Sequence, residues 1–311
     1  MANYVERDGD WVLRPPGNLD HVNMYVFALR AGATELQALC DRFINHPTGN
    51  AVQATPVFPG FPFVLVTCAD IQKGYSQDVD DAGHGWMPER DVGIFVPVTL
   101  TWGGGQQRVA NLLPYLYVDN FAAVLIGREV FGFPKVLADI AFGGSPWSCA
   151  VTSTVSVTNN PAQPAGDAAI VTVNKRSPLP GIPVPGQLAN ALPVIIDALR
   201  AALGMPPPAS AAFATIPMVF LKQFRAAVVP PPACHQSVVL AEAGITQFYG
   251  GELWGTLGPL APFAITMPPY HSVDIGQHLG LPGGPTYHPV LSVRATIDFG
   301  LPFGKALWTA P

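Results

Sequence analysis

Charge is scarce in this sequence. Of its 311 residues only 12% are charged, 16 Lys and Arg against 21 Asp and Glu, for a net charge of −5. An ordinary soluble domain carries roughly 25%. Together with 49% hydrophobic residues, that argues against a disordered chain. It implies that much apolar surface is hidden in a thick core or between subunits, so a homo-oligomer is expected. The basic residues form no cluster, which argues against a nucleic acid or an anionic membrane as partner.

Long apolar runs are missing too. No stretch approaches the roughly 20 residues that span a bilayer. Residues 1–10 are polar and acidic, without the basic start and apolar stretch of a secretory signal. A soluble, cytoplasmic protein is the expectation. The four cysteines, Cys40, Cys68, Cys149 and Cys234, include no C-x-x-C pair, and read as reduced core residues. The seven histidines are scattered, and Cys234–His235 is too isolated to form a metal site, so neither metal nor cofactor is expected.

What the chain has in quantity is punctuation. Thirty-four prolines and 31 glycines cut it into short segments, favouring strands and turns. Two stretches read as helices. Residues 33–45 offer Thr34 as N-cap and put Leu36, Leu39, Cys40 and Phe43 on one face. Residues 186–203 carry Leu188, Leu192, Ile195, Ile196, Leu199 and Leu203 at helical spacing, closed by Gly204 and a run of prolines. Apolar runs at 61–67, 93–101, 122–126, 168–173, 218–222, 237–241 and 290–299 read as strands. Short turns separate most of them, which predicts an α+β fold, predominantly antiparallel β, as a sheet or barrel with a few peripheral helices. A single domain over 1–311 is expected, with 143–215 as an inserted excursion containing the second helix.

Only five lysines occur, Lys73, Lys135, Lys175, Lys222 and Lys305. Lys135 stands apart, because residues 121–142 around it are apolar on both sides, with a Gly/Pro bend just before it. Burial penalises an ammonium and lowers a lysine pKa. A neutral amine is nucleophilic toward ketones and aldehydes. The iminium so formed is an electron sink, which lowers the barrier for losing carbon dioxide, for making or breaking a C–C bond, and for eliminating water.

The run Gly-Arg-Glu-Val-Phe-Gly-Phe-Pro-Lys at 127–135 resembles the Gly-Arg-Glu…Pro-Lys signature of the acetoacetate decarboxylases. Tyr-Leu-Tyr-Val-Asp-Asn at 115–120 is similar to a strand of that family at matching spacing, and 219–224, 245–260 and 295–304 resemble later strands. The resemblance implies an acetoacetate-decarboxylase-like β-barrel or cone and makes Lys135 the Schiff-base lysine. The family's second lysine is replaced by Val136, so activation is left to desolvation. Arg128 and Glu129 are adjacent and read as an ion pair or a backbone brace rather than as catalytic groups.

The resemblance also implies a carboxylate ahead of an apolar strand ending in Val-Pro. Counting back from Pro97 gives Asp91, and a two-residue shift gives Glu89; either would shuttle protons. A further glutamate of the family is lost from 63–67, and its arginine has no clear counterpart near His21 and Val22, Arg14 and Arg30 being the nearest guanidiniums. Those losses point away from acetoacetate, toward a larger and more apolar carbonyl compound. The resulting expectation is a lyase acting on a small-molecule carbonyl substrate, by 3-oxo acid decarboxylation or by aldol condensation and dehydration. The alternative is a cyclase or binding protein that uses the cavity without covalent chemistry.

Overall fold

A computed structural model describes residues 4–5, 12–155, 164–177, 180–185, 215–228, 232–255 and 261–310. The expected helix over 186–203 lies outside the described residues. Among the described residues sixteen strands run in chain order as β1 (Gly17–Arg30), β2 (Val52–Pro56), β3 (Phe63–Ser76), β4 (Met87–Trp102), β5 (Gln106–Val118), β6 (Lys135–Leu137), β7 (Asp139–Gly143) and β8 (Ser148–Val155). They continue as β9 (Gly166–Lys175), β10 (Ile182–Pro185), β11 (Thr215–Arg225), β12 (Ala233–Gly255), β13 (Phe263–Thr266), β14 (Thr286–Tyr287), β15 (Leu291–Leu301) and β16 (Lys305–Thr309).

The main sheet has 11 strands in the order β2-β4-β3-β1-β15-β12-β11-β5-β6, with β10 and β16 attached to β12. A further pairing of β4 with β5 closes seven of these strands into a ring. Its pairings are antiparallel except β5 with β11 and β5 with β6. A second sheet, β14-β13-β9-β8-β7, is antiparallel throughout. The predominantly antiparallel α+β architecture expected from the punctuation is what the chain adopts. Of residues 143–215, the described parts supply β8 and β9 to the second sheet and β10 to the edge of β12.

Strand β4 explains how the sheets and the site are related. Val92, Ile94, Val96, Val98 and Leu100 are buried at every second position, as alternating side chains require. These belong to the large core that also takes in Val151, Val171 and Phe263 of the second sheet. Phe27 of β1 lies 5.0 Å from Phe263 and Tyr25 stacks on Trp147 at 3.9 Å, centroid to centroid. Burying each such side chain stabilises the fold by about 1.5–3 kcal/mol. The other face of β4 carries Glu89, Asp91 and Phe95, and Phe95 packs on a separate core of Leu113, Leu116, Phe133 and Phe220.

Two local expectations change. The helix expected over 33–45 forms as α1 (Ala33–Cys40) and a wider turn over Asp41–Asn45, but its N-cap is Gly32, not Thr34. Leu36, Leu39 and Cys40 are buried as their spacing predicts. The run at 122–126, expected as a strand, is instead helix α2 (Phe121–Ile126), whose N-cap Asn120 accepts hydrogen bonds from the amides of Ala122 and Ala123. A side-chain cap that satisfies two orphan amides outweighs the β preference of three branched residues. Cys40, Cys68 and Cys149 are buried and Cys234 is exposed, all as free thiols.

Candidate functional site

Lys135 owes its position to the turn before it. After α2 the chain winds through a π turn, Gly127–Phe131, which Gly132 ends in the left-handed region at φ 84°. The amides of Gly132 and Phe133 both donate to the Gly127 carbonyl at 2.9 Å. Gly132 admits no side chain, since a Cβ there would stand 2.6 Å from the Lys222 Cα. Lys135 then opens β6, paired with Leu116 of β5. Its stem runs over Gly127, where a Cβ would come within 2.6 Å of the lysine Cδ. Arg128 donates to the Lys135 carbonyl oxygen at 3.1 Å, so it braces the backbone as expected. Glu129 accepts from the Tyr4 hydroxyl at 2.6 Å, outside the buried centre. Both residues lie in the turn and not in a strand.

The amine is 7% exposed as a residue and meets two carboxylates. Glu89, also buried, places Oε2 at 3.4 Å from the Lys135 Nζ. The Phe133 ring centre lies 5.8 Å from the same nitrogen. Glu89 and Asp91 were alternatives in the sequence; a two-residue step along β4 puts both on the face toward Lys135. Arg90 between them turns to the opposite face and reaches the Ile140 carbonyl at 3.1 Å and Asp70 at 3.4 Å. Neither carboxylate lies in a loop.

Charge in this cluster differs from the expectation of a neutral amine. Desolvation acts to lower the Lys135 pKa, but the charges of Asp91 and Glu89 and the hydrogen bond that Lys135 donates to Glu89 outweigh it, and the pKa is raised above the ordinary 10.5. That direction favours the ammonium form of Lys135. Asp91 moves the other way from an ordinary acid: desolvation first, then the Glu89 charge, push it up to about 8 against the pull of Lys135. Its Oδ1 is buried and has no hydrogen-bond partner. Asp91 thus favours its neutral, protonated form up to about pH 8.

A cavity of about 90 Å³ ends on Glu89. Leu13, Leu19, Met87, Ile126, Phe131 and Leu301 line it, with Arg14, Asn18, Tyr75 and Ser76 supplying polar groups. Lys135 stands behind Glu89 rather than on this wall. Sequence reading missed Gly127 as the slot for the lysine stem, Phe133 as its ring neighbour, and the wall from β1, β3 and α2. Gly127 and Phe133 both carried a signal, as parts of the 127–135 run.

Comparison with known proteins bears on this arrangement. Residues 61–159, which include Glu89, Asp91 and Lys135, match the family described as acetoacetate decarboxylase. No protein of curated function matches the sequence. Among solved structures, the acetoacetate decarboxylase of Legionella pneumophila is similar with a TM-score of 0.60 at 14% identity, over 99% of this chain and 94% of that one. An acetoacetate decarboxylase-like enzyme from Sphingomonas wittichii gives 0.57 at 11% identity, over 99% of each chain. The enduracididine biosynthesis enzyme MppR, solved with the condensation product of pyruvate and imidazole 4-carboxaldehyde, gives 0.53 at 14%, over 96% and 92%. At these identities the structures establish a shared fold.

Proposed function

Because this chain is divergent but acetoacetate-decarboxylase-like in fold and over residues 61–159, we propose that it is a lyase acting on a carbonyl compound through an imine on Lys135. The observation that carries the reading is the buried Lys135–Glu89 pair with Asp91 beside it. On carbonyl binding, the ammonium passes one proton to Glu89, whose Oε2 lies 3.4 Å from its nitrogen. The freed nitrogen lone pair adds to the carbonyl carbon. The carboxyl group then protonates the carbinolamine oxygen, water leaves, and the iminium remains opposite a carboxylate, so charge is conserved. Electron density released at the neighbouring carbon flows onto nitrogen. This serves loss of carbon dioxide from a 3-oxo acid, or aldol condensation with dehydration.

A second reading rests on one observation: Glu89, not Lys135, faces the cavity. In it Glu89 does acid–base work on a non-covalently held ligand, as in a cyclase or binding protein, and Lys135 positions Glu89 through their 3.4 Å contact. Reductive trapping separates the two. Incubation with ketones and borohydride is expected to add ligand mass to the peptide containing Lys135, and Lys135→Met is expected to abolish that mass. A full ligand-dependent activity in Lys135→Met would establish the second reading.

A further inference from the structure

We infer that the cavity beside Glu89 holds a short, uncharged aliphatic arm of the carbonyl substrate, so that of the two reactions above the aldol branch applies and the substrate is a neutral ketone or aldehyde rather than an oxo acid. This rests on the imine reading above. Three observations carry it.

The first is size. A cavity of about 90 Å³ is smaller than the ~150 Å³ that takes up benzene, and has room for about three water-sized groups. That suits a chain of about three carbons and not an aromatic ring.

The second is chemistry of the wall. Its polar groups are already engaged with one another. Asn18 Nδ2 donates to the Tyr75 hydroxyl at 3.1 Å, and Ser76 Oγ donates to the Arg14 carbonyl at 2.6 Å. What remains toward the arm is Leu19, Met87, Ile126, Phe131 and Leu301.

The third is charge. Arg14 is the guanidinium on this wall, and its Nη1 is surrounded by Asp78 at 3.3 Å, Asp80 at 3.3 Å and Asp81 at 3.1 Å. One cation against three anions leaves no positive potential to receive a carboxylate. The ionisable carboxyl group on this wall is that of Glu89. An anionic arm would lose its hydration with no compensating partner.

The test compares 2-pentanone with acetoacetate, alongside acetone and acetophenone. Borohydride labelling of Lys135 is measured for each and divided by labelling of a free lysine derivative by the same ketone. We expect 2-pentanone to exceed both acetoacetate and acetophenone by about tenfold or more, the discrimination typical of a small apolar pocket. Leu19→Phe should remove most of the advantage of 2-pentanone over acetone. Asp78→Asn with Asp80→Asn should raise labelling by acetoacetate, because fewer anions then offset the Arg14 guanidinium. Acetoacetate or acetophenone matching 2-pentanone would overturn the inference. If no ketone labels Lys135, the imine reading fails instead, and thermal-shift binding of 2-pentanone against acetoacetate decides the cavity: selective stabilisation by 2-pentanone supports the inference, and equal or reversed shifts overturn it.

Discussion

The chemistry of the site turns on which atoms crowd one amine. Gly127 makes room for the Lys135 stem, and a Cβ there would sit 2.6 Å from Cδ. Gly127→Ala should therefore displace the amine, lowering reductive labelling by about 100-fold, as ångström-scale misplacement does. Overpacking should also cost about 1–3 kcal/mol of stability, read by denaturant unfolding. Retained labelling in a folded Gly127→Ala protein would show that the slot is not required. Asp91 makes a pH-dependent prediction. Its ordinary value is 3.8 and its folded value about 8, so across that window the native protein keeps a proton that the unfolded chain has lost. Its stabilising contribution is fully present below the lower value and is lost as pH rises through the upper one. The raised Lys135 pKa acts only above 10.5, outside that window. The fall in Tm between pH 5 and pH 9 should be smaller in Asp91→Asn than in the unaltered protein; parallel curves would contradict the assignment. At this scale the sequence revealed the lysine and both carboxylates but not their charge. Burial of Lys135 could be read from its neighbours, whereas the counter-charges arrive from β4, more than 40 residues away.

Elements decide where those residues point. Residues 122–126 looked like a strand because Val124, Leu125 and Ile126 are apolar and two are β-branched, too short a run for periodicity to arbitrate. Asn120 was the readable cue, since its side chain accepts from two amides at the helix start. Asn120→Ala should cost about 1 kcal/mol in chemical denaturation. Ala123 and Ile126 of α2 line the cavity, so the same substitution should also weaken labelling by 2-pentanone relative to acetone. An unchanged ratio would mean that the cap does not set the wall. Strand β4 was legible for a simpler reason. Its buried positions alternate over most of its length, and the same alternation unites Glu89 with Asp91.

The whole molecule supplies what no local pattern contains. Closure of the ring depends on β5 meeting β4 antiparallel and β11 parallel, pairings separated by about a hundred residues in the latter case. Punctuation by proline and glycine reveals strands, not their partners. Packing between the two sheets centres on Phe27, which is fully buried and lies 5.0 Å from Phe263. Phe27→Ala should cost about 3–5 kcal/mol, measured by urea unfolding; a loss under 1 kcal/mol would mean that the sheets do not depend on that contact. Among the described residues no helix is long and apolar enough to cross a membrane. The account's centre remains the proton held between Lys135 and its carboxylates. With five lysines in the chain, ¹⁵N-lysine NMR, assigned with Lys135→Met, reads that nitrogen directly. We predict an ammonium signal for Lys135 at neutral pH, converting to an imine signal as 2-pentanone is added. An ammonium signal that persists unchanged at saturating ketone, with every tested carbonyl compound, would contradict it.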